Sequence, residues 1–468
     1  MLLLAACVSA PQHATSPLPT QPTVQVWLST ADGGKQLTRQ ADVAFGAALR
    51  ADVTFEIDAS QRHQEMVGFG AAITDSSAWL IEKHMSPVQR DALLKELFGR
   101  EGDGIGLSFT RLTIGASDFS RTHYSLDDMP PGHRDPKLEH FSIAPNREDV
   151  LPVARAALTI NPQLRVMASP WSAPGWMKTT GSMIGGTLRE DAYAPFAEYL
   201  VRYVEAYAAE GVPIFALTVQ NEPGFAPEDY PGTKLPASAR AKLIGTHLGP
   251  LLAQRAPATT ILDWDHNWDH PEEPLAVLDD PVARRYVAGV AWHCYAGSVG
   301  AQAPVRAAHP DKDAYLTECS GGEWKPMRDD ALLMIVRRLI IGSTRGGSKG
   351  VLLWNLALDE NHGPHAGGCN DCRGLVTIDS RSGNYVRTVD YVALAHASRF
   401  VRPGAQRIES SDGGHDIDNV VFRNTDDESL VMIVANSSAF AQRFVTREAK
   451  RAFAYTMPAR SVATFVWK

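Results

Sequence analysis

Apolar residues first alternate at Val24, Val26 and Leu28, then at Val53, Phe55 and Ile57, the period of two that marks a half-buried strand. The same period returns only at the far end of the chain, in residues 419–423 (NVVFR), 430–435 (LVMIVA), 443–445 (RFV) and 462–467 (VATFVW), separated by turn-rich stretches such as Ser411-Asp-Gly-Gly. This distribution predicts one small β-sandwich assembled from both termini, residues 23–60 and 384–468, flanking a larger middle; two separate β modules are the alternative.

Residues 61–383 follow another rhythm. Short apolar runs at 67–73, 107–114, 164–168, 214–219, 260–264, 287–292, 314–317 and 350–354 alternate with longer stretches of three- and four-residue apolar spacing, including 86–98, 191–210, 237–255 and 331–343. Eight strands, each followed by a helix, predict an α/β fold of the (β/α)8 TIM barrel type. A doubly wound sheet would carry a Gly-rich phosphate loop after its first strand, and Val67-Gly-Phe-Gly-Ala-Ala-Ile73 leads into no such loop.

Composition narrows the picture. With 468 residues, 44% hydrophobic and 21% charged, the chain has the balance of a folded globular protein. Its net charge of -8 and scattered Lys and Arg argue against nucleic acid as a partner. Five Cys are too few to build a disulfide scaffold, while ten Trp and twelve Tyr offer flat faces of the kind sugars stack on. The opening Met1-Leu-Leu-Leu-Ala-Ala-Cys7 resembles the end of a lipoprotein signal, and residues 8–22 read as a Pro- and Ser-rich linker. The expectation is an exported protein, periplasmic, tethered to the outer membrane or secreted, with Cys7 as a lipid anchor.

Barrel enzymes place their chemistry where strands end. Just past the apolar runs stand Thr74-Asp75, Asp118, Ser169-Pro-Trp171, Gln220-Asn221-Glu222-Pro223, Asp265-His266-Asn267-Trp268, His293-Cys-Tyr295, Glu318 and Trp354-Asn355. Glu222 and Glu318 follow the fourth and seventh strands directly. Two carboxylates about 5–5.5 Å apart suit a retaining glycosidase, one as nucleophile and one as acid then base, whereas an inverting enzyme needs a wider gap. Arg111 and Tyr295 are candidate donors to an ionised Glu318, and Asn221 is a candidate donor to the sugar hydroxyl beside the reacting carbon. For Arg111 a barrel-core ion pair is the competing role, and for Asp265-His266-Asn267-Trp268 a packed, capped loop competes with lining the aglycone side.

Seven collinear segments carry a family resemblance: Gly68-Phe-Gly-Ala-Ala-Ile-Thr-Asp75, Arg111-Leu-Thr-Ile-Gly-Ala-Ser-Asp-Phe-Ser120, residues 168–181 (ASPWSAPGWMKTTG), Val219-Gln-Asn-Glu-Pro223, His293-Cys-Tyr295, Thr317-Glu318 and Trp354-Asn-Leu-Ala-Leu358. Across roughly residues 60–405 the chain resembles glycoside hydrolase family 30, which includes the glucosylceramidases. The resemblance implies Glu222 as acid/base and Glu318 as nucleophile. It implies sugar contacts from Asp118, Trp171, Asn221 and Trp354 and a shell around the carboxylates from Arg111, His293 and Tyr295; His293, Tyr295 and Asn370, near a family position in the loop after strand eight, are also expected to touch substrate. It also implies a β-sandwich side domain and a reaction needing no metal or organic cofactor. The substrate expected first is a β-glucoside of the glucosylceramide type, with β-1,6-glucan or a β-xyloside as alternatives and an inactive carbohydrate-binding lipoprotein as the non-enzymatic one.

Departures from that family pattern fall on cysteine. Cys294 and Cys319 are expected to point into the barrel–helix layer as free thiols. Cys369 and Cys372, in a Gly-rich loop with His362 and His365, are expected to form a short disulfide at the mouth of the site rather than a zinc site.

Overall fold

The computed structural model describes residues 23–46, 50–325, 327–414 and 416–468. The signal-like segment, its linker and Cys7 lie outside the described residues. Eight parallel strands close into a barrel: Gly68–Ala72, Phe109–Ile114, Arg165–Pro170, Ile214–Thr218, Thr260–Asn267, Val287–His293, Asp313–Glu318 and Ser348–Asn355. These are barrel strands one to eight below.

The strand sequences explain their burial. Phe109, Met167, Ala216, Leu262, Ala291, Tyr315 and Leu352 fill the lumen with one apolar layer drawn from seven strands. Residues on the opposite parity pack outward against helices. Those helices begin where the sequence supplies caps. Pro87–Phe98, for example, starts at Ser86, whose hydroxyl accepts from the Gln89 amide at 3.3 Å while the Gln89 side chain accepts from the Ser86 amide at 2.9 Å, a reciprocal capping box.

Both ends of the described chain build the second layer. Thr23–Thr30 pairs antiparallel with Ser461–Trp467, and Val53–Glu65 runs between Gln406–Ser410 and Gln442–Glu448. Phe55, Phe444, Phe453, Phe465 and Trp467 form its aromatic core. Two elements extend past the edges expected from the sequence. The strand Val53–Glu65 runs beyond residue 60 almost to the first barrel strand, and the helix Val389–Ser398, beyond residue 383, packs on barrel strand one and on Ser461–Trp467. That helix is buried along nearly its whole length, so it shows no polar face from which a boundary could be read. In its last turn His396 joins the two bodies, its ring nitrogens 2.9 Å from Thr464 Oγ1 and 2.8 Å from Ser29 Oγ. Burial pushes this imidazole down to about 3, so it stays neutral.

Candidate active site

Two residues beyond the apolar layer, the lumen turns polar: Arg111, Ser169, Thr218, His293 and Thr317 occupy the next inward positions of strands two, three, four, six and seven, with Trp354 on strand eight. Strand five breaks this parity. Trp264 (φ 77°) and Asp265 (φ 51°) both adopt left-handed backbone, and the pairing with strand six shifts register there. A bulge of this kind inserts one residue and re-aims the next side chain. Asp265 therefore enters the lumen, while Trp264 packs under the Arg240 guanidinium, 5.2 Å from its ring.

Asp265 organises the polar layer. Its Oδ2 accepts from Arg111, Ser169 and Thr218, each at 2.7 Å, and its Oδ1 from Thr317 at 2.8 Å and His293 Nε2 at 3.0 Å. Burial opposes its charge, but the Arg111 guanidinium and the donors around it hold the carboxyl far below the usual aspartate range. The sequence leaves Asp265 between a packed, capped loop and the aglycone side; its inward position depends on a bulge that no residue pattern announces.

The two glutamates stand on this layer. Glu318 Oε2 accepts from Arg111 at 2.5 Å and Oε1 from the Tyr295 hydroxyl at 2.9 Å. Glu222 Oε1 lies 3.0 Å from His293 Nδ1 and 3.8 Å from His266 Nε2. One oxygen of Glu222, one of Glu318 and a nitrogen of His293 all fall within 4.8 Å of one another. Such a trio has the donor types of a cation site, yet the adjoining Arg111 guanidinium and a protonated imidazole already supply its positive charge.

Charge is distributed unevenly over the pair. Burial pushes Glu318 up, with His293 and Arg111 pulling against it; yet a proton on either oxygen would displace a donor, so its hydrogen bonds fit the carboxylate. Burial also opposes charge on Glu222, but the His293 hydrogen bond holds it below its ordinary value. His293, against its own burial, is pushed up to about 9 by the carboxylates around it. The Glu222–His293 hydrogen bond thus retains one proton across neutral pH, and that proton belongs to the pair.

The pocket above holds about 370 Å³ and is lined by Asp118, Trp171, Asn221, Glu222, Tyr230, Tyr295, Glu318, Trp324 and Trp354, with Gly368, Cys369 and Cys372 on the loop side. Trp171 and Trp354 stack at 4.8 Å, and Arg111 lies 4.6 Å from the Trp171 centroid. Arg111 also donates to Asn221 Oδ1 at 2.8 Å, which turns the Asn221 amide group away from the guanidinium. Asp118 Oδ1 is buried with no hydrogen-bond partner. Burial, then the charges of Glu318 and Glu222, push this carboxyl up to about 8.

The loop after strand eight closes one wall. Ala366 N donates to Asp118 O and Gly368 N to Asp229 Oδ2, both at 2.9 Å, and Cys372-Arg373 pairs with Gly321-Gly322. Gly368 has φ +75°, and a Cβ there would stand 2.8 Å from that of Asp118; only glycine fits so close a wall. Cys369 and Cys372 are joined in the expected disulfide.

Three expectations need correction. Asn370 is exposed between the bridged cysteines and does not line the pocket. His293 has no exposed surface and serves beneath Glu222 instead of touching sugar. Cys294 and Cys319 are not free thiols but a disulfide with Cα atoms 5.4 Å apart. They do lie in the outer core. The register sets His293 opposite Glu318, so their outward-facing successors fall within bridging distance. Tyr230 and Trp324 were missed because each sits in a loop with no motif around it.

A barrel with two opposed glutamates over a polar layer defines a glycoside hydrolase. The family models agree: "Glycosyl hydrolase family 30 TIM-barrel domain" matches residues 66–401 and "Glycosyl hydrolase family 30 beta sandwich domain" residues 404–465. The chain belongs to glycoside hydrolase family 30. It is 33% identical over 446 residues to an endo-1,6-β-D-glucanase of Neurospora crassa, covering 91% of both chains. It is 30% identical over 437 residues to a putative glucosylceramidase 4 of Caenorhabditis elegans, covering 87% of this chain and 81% of that one. Among solved structures, the endo-β1,6-glucanase BT3312 superposes with a TM-score of 0.87 at 32% identity, over 95% of this chain and 99% of that chain.

Proposed function

We propose that the protein is a retaining endo-β-1,6-glucanase in which Glu222 is the acid/base and Glu318 the nucleophile. The mechanism rests on one observation: an oxygen of each carboxylate lies within 4.8 Å of the other, the close pairing of a retaining site, whose carboxyl groups stand about 5–5.5 Å apart, and not the wider gap an inverting enzyme keeps for water. Glu318, with Arg111 and Tyr295 on its oxygens, attacks the anomeric carbon as Glu222 passes the proton of the Glu222–His293 bond to the departing oxygen. A water activated by Glu222 then releases the sugar with its original configuration. Stacked Trp171 and Trp354 and the partnerless Asp118 oxygen supply an apolar face and a hydroxyl contact for the glucosyl unit.

The substrate reading rests on similarity to endo-1,6-glucanases at 32–33% identity over nearly the full chain. It replaces glucosylceramide, the substrate expected first from sequence. Incubation with linear β-1,6-glucan, β-1,3-glucan, glucosylceramide and an aryl β-xyloside tests it: mixed oligosaccharides should appear early from the β-1,6-glucan alone. Faster release of glucose from glucosylceramide would overturn the substrate, and undiminished turnover by Glu318→Gly would overturn the mechanism.

A further inference from the structure

The disulfide between Cys294 and Cys319 occupies a place that the proposed reaction leaves unexplained. Cys294 directly follows His293 on strand six, and Cys319 directly follows Glu318 on strand seven. Both cysteines are buried in the outer core, on the far side of the barrel wall from the Glu318 carboxylate and the His293 ring. The bridge therefore ties the backbone behind the nucleophile to the backbone behind the imidazole that holds the acid/base.

At this point the barrel's own ladder is weak. Pairing between strands six and seven slips from Trp292↔Leu316 to His293↔Glu318. Strand seven meets strand eight at only two registers, Ala314↔Ser348 and Leu316↔Val351. Beyond Glu318 the backbone contact with strand eight is the Trp354 amide donating to Cys319 O at 2.9 Å. Four hydrogen bonds depend on where these two strand ends sit: Arg111 and Tyr295 to Glu318, and His293 to Glu222 and Asp265.

We propose that the Cys294–Cys319 disulfide is a positioning device for catalysis, fixing Glu318 and His293 relative to each other so that nucleophile and acid/base stay in register. The proposal rests on Glu318 and Glu222 being the reacting carboxylates. The second bridge, Cys369–Cys372, touches the pocket wall instead and gives an internal contrast. Loss of the first should act on kcat, loss of the second on KM. A shift of about 1 Å between reacting groups is enough to slow a reaction about a hundredfold.

The test compares Cys294→Ala/Cys319→Ala with Cys369→Ala/Cys372→Ala in the full chain. Activity on β-1,6-glucan is followed together with the rate at which a 2-fluoro glucosyl inhibitor labels Glu318. The first variant should lose about tenfold or more in kcat and in labelling rate with KM within twofold, and its kcat–pH curve should shift, because Glu318 and His293 no longer share fixed partners. The second should raise KM and leave the labelling rate at saturating inhibitor unchanged. If the alanine pair does not fold, Cys294→Val/Cys319→Ala, which refills the lost volume, takes its place. An unshifted pH curve with kcat within twofold of the parent overturns the proposal, as does alkylation of both thiols in the native, unreduced protein. Failure of both variants to fold would also overturn it, making the bridge a folding staple. Wild-type labelling at a residue other than Glu318 would instead overturn the assignment of the nucleophile.

Discussion

Asp265 and Glu222 meet through their backbones, Glu222 N donating to Asp265 O at 3.0 Å, and a single imidazole joins their carboxylates: His293 lies 3.0 Å from each, Nε2 toward Asp265 and Nδ1 toward Glu222. A buried carboxylate on one side of a histidine strengthens its hold on a proton, and that proton is shared with the carboxyl on the other side. Asp265→Asn removes the charge from this relay and from the Arg111 ion pair. It should cost about 3–5 kcal/mol of stability, as expected when one partner of a buried pair is removed, read as a lower urea midpoint at unchanged slope. It should also move the alkaline limb of kcat/KM to lower pH, whereas a purely structural aspartate would leave that limb in place.

The parent enzyme should show a bell-shaped pH profile with both limbs displaced upward. Glu318 must be ionised to attack, and burial raises its carboxyl, so the acidic limb should fall above the ordinary glutamate value of about 4.3. The Glu222–His293 pair must keep its proton, and His293 holds on up to about 9, so activity should decline as pH rises through that region. Initial rates on a soluble β-1,6-gluco-oligosaccharide from pH 4 to 10 would show both. In His293→Ala, Glu222 keeps only the more distant His266 beside a negative Glu318, without the imidazolium, and the alkaline limb should move down by at least about one pH unit.

The barrel and its paired glutamates were legible because both depend on local pattern. Apolar runs gave the strands, the residues just after them gave Glu222, Glu318 and Tyr295, and the one cation inside the second run gave Arg111, without any knowledge of pairing. What escaped depends on register between strands distant in sequence. Asp265 enters the lumen through two left-handed residues, and the Cys294–Cys319 bridge forms because His293 faces Glu318. Tyr230 and Trp324 reach the pocket from loops, where sequence sets no periodicity to read.

Asp118 carries a proton below about pH 8, so its neutral form meets the sugar at neutral pH. Asp118→Asn keeps a neutral polar group of the same shape and should raise KM no more than about threefold at pH 6. Asp118→Ala leaves the sugar hydroxyl unpaired and should raise KM about ten- to hundredfold, the equivalent of about 1.5–3 kcal/mol. Equal effects from the two substitutions would show that the protonated side chain makes no such contact.

Lys178 is buried and donates to Ser172 Oγ, Met183 O and Gly232 O, tying the loop that carries Trp171 to the loop that carries Tyr230. Burial pushes its ammonium down to about 7, well below the unfolded value of about 10.4. Below pH 7 both states hold the proton and the penalty for burying the charge is felt in full. As pH rises from about 7 toward 10, the unfolded state binds more protons and the folded state gains relative stability. The urea midpoint of the parent should therefore rise between pH 7 and pH 9.5 relative to that of Lys178→Met. The same variant should raise KM through slack between the two loops.

His396 gives the molecule a form of self-inspection. One of its nitrogens is answered by Ser29 near the start of the described chain and the other by Thr464 near its end, while the helix around it leans on the first barrel strand. A neutral imidazole in that position has both nitrogens satisfied only when the two extremities have docked. Trimming either terminal strand would leave one of them orphaned inside a hydrophobic seam, a deficit of about 1–3 kcal/mol imposed directly on the barrel. The catalytic half therefore registers whether synthesis and assembly of the other half are complete, and an isolated barrel should not be expected to stand alone.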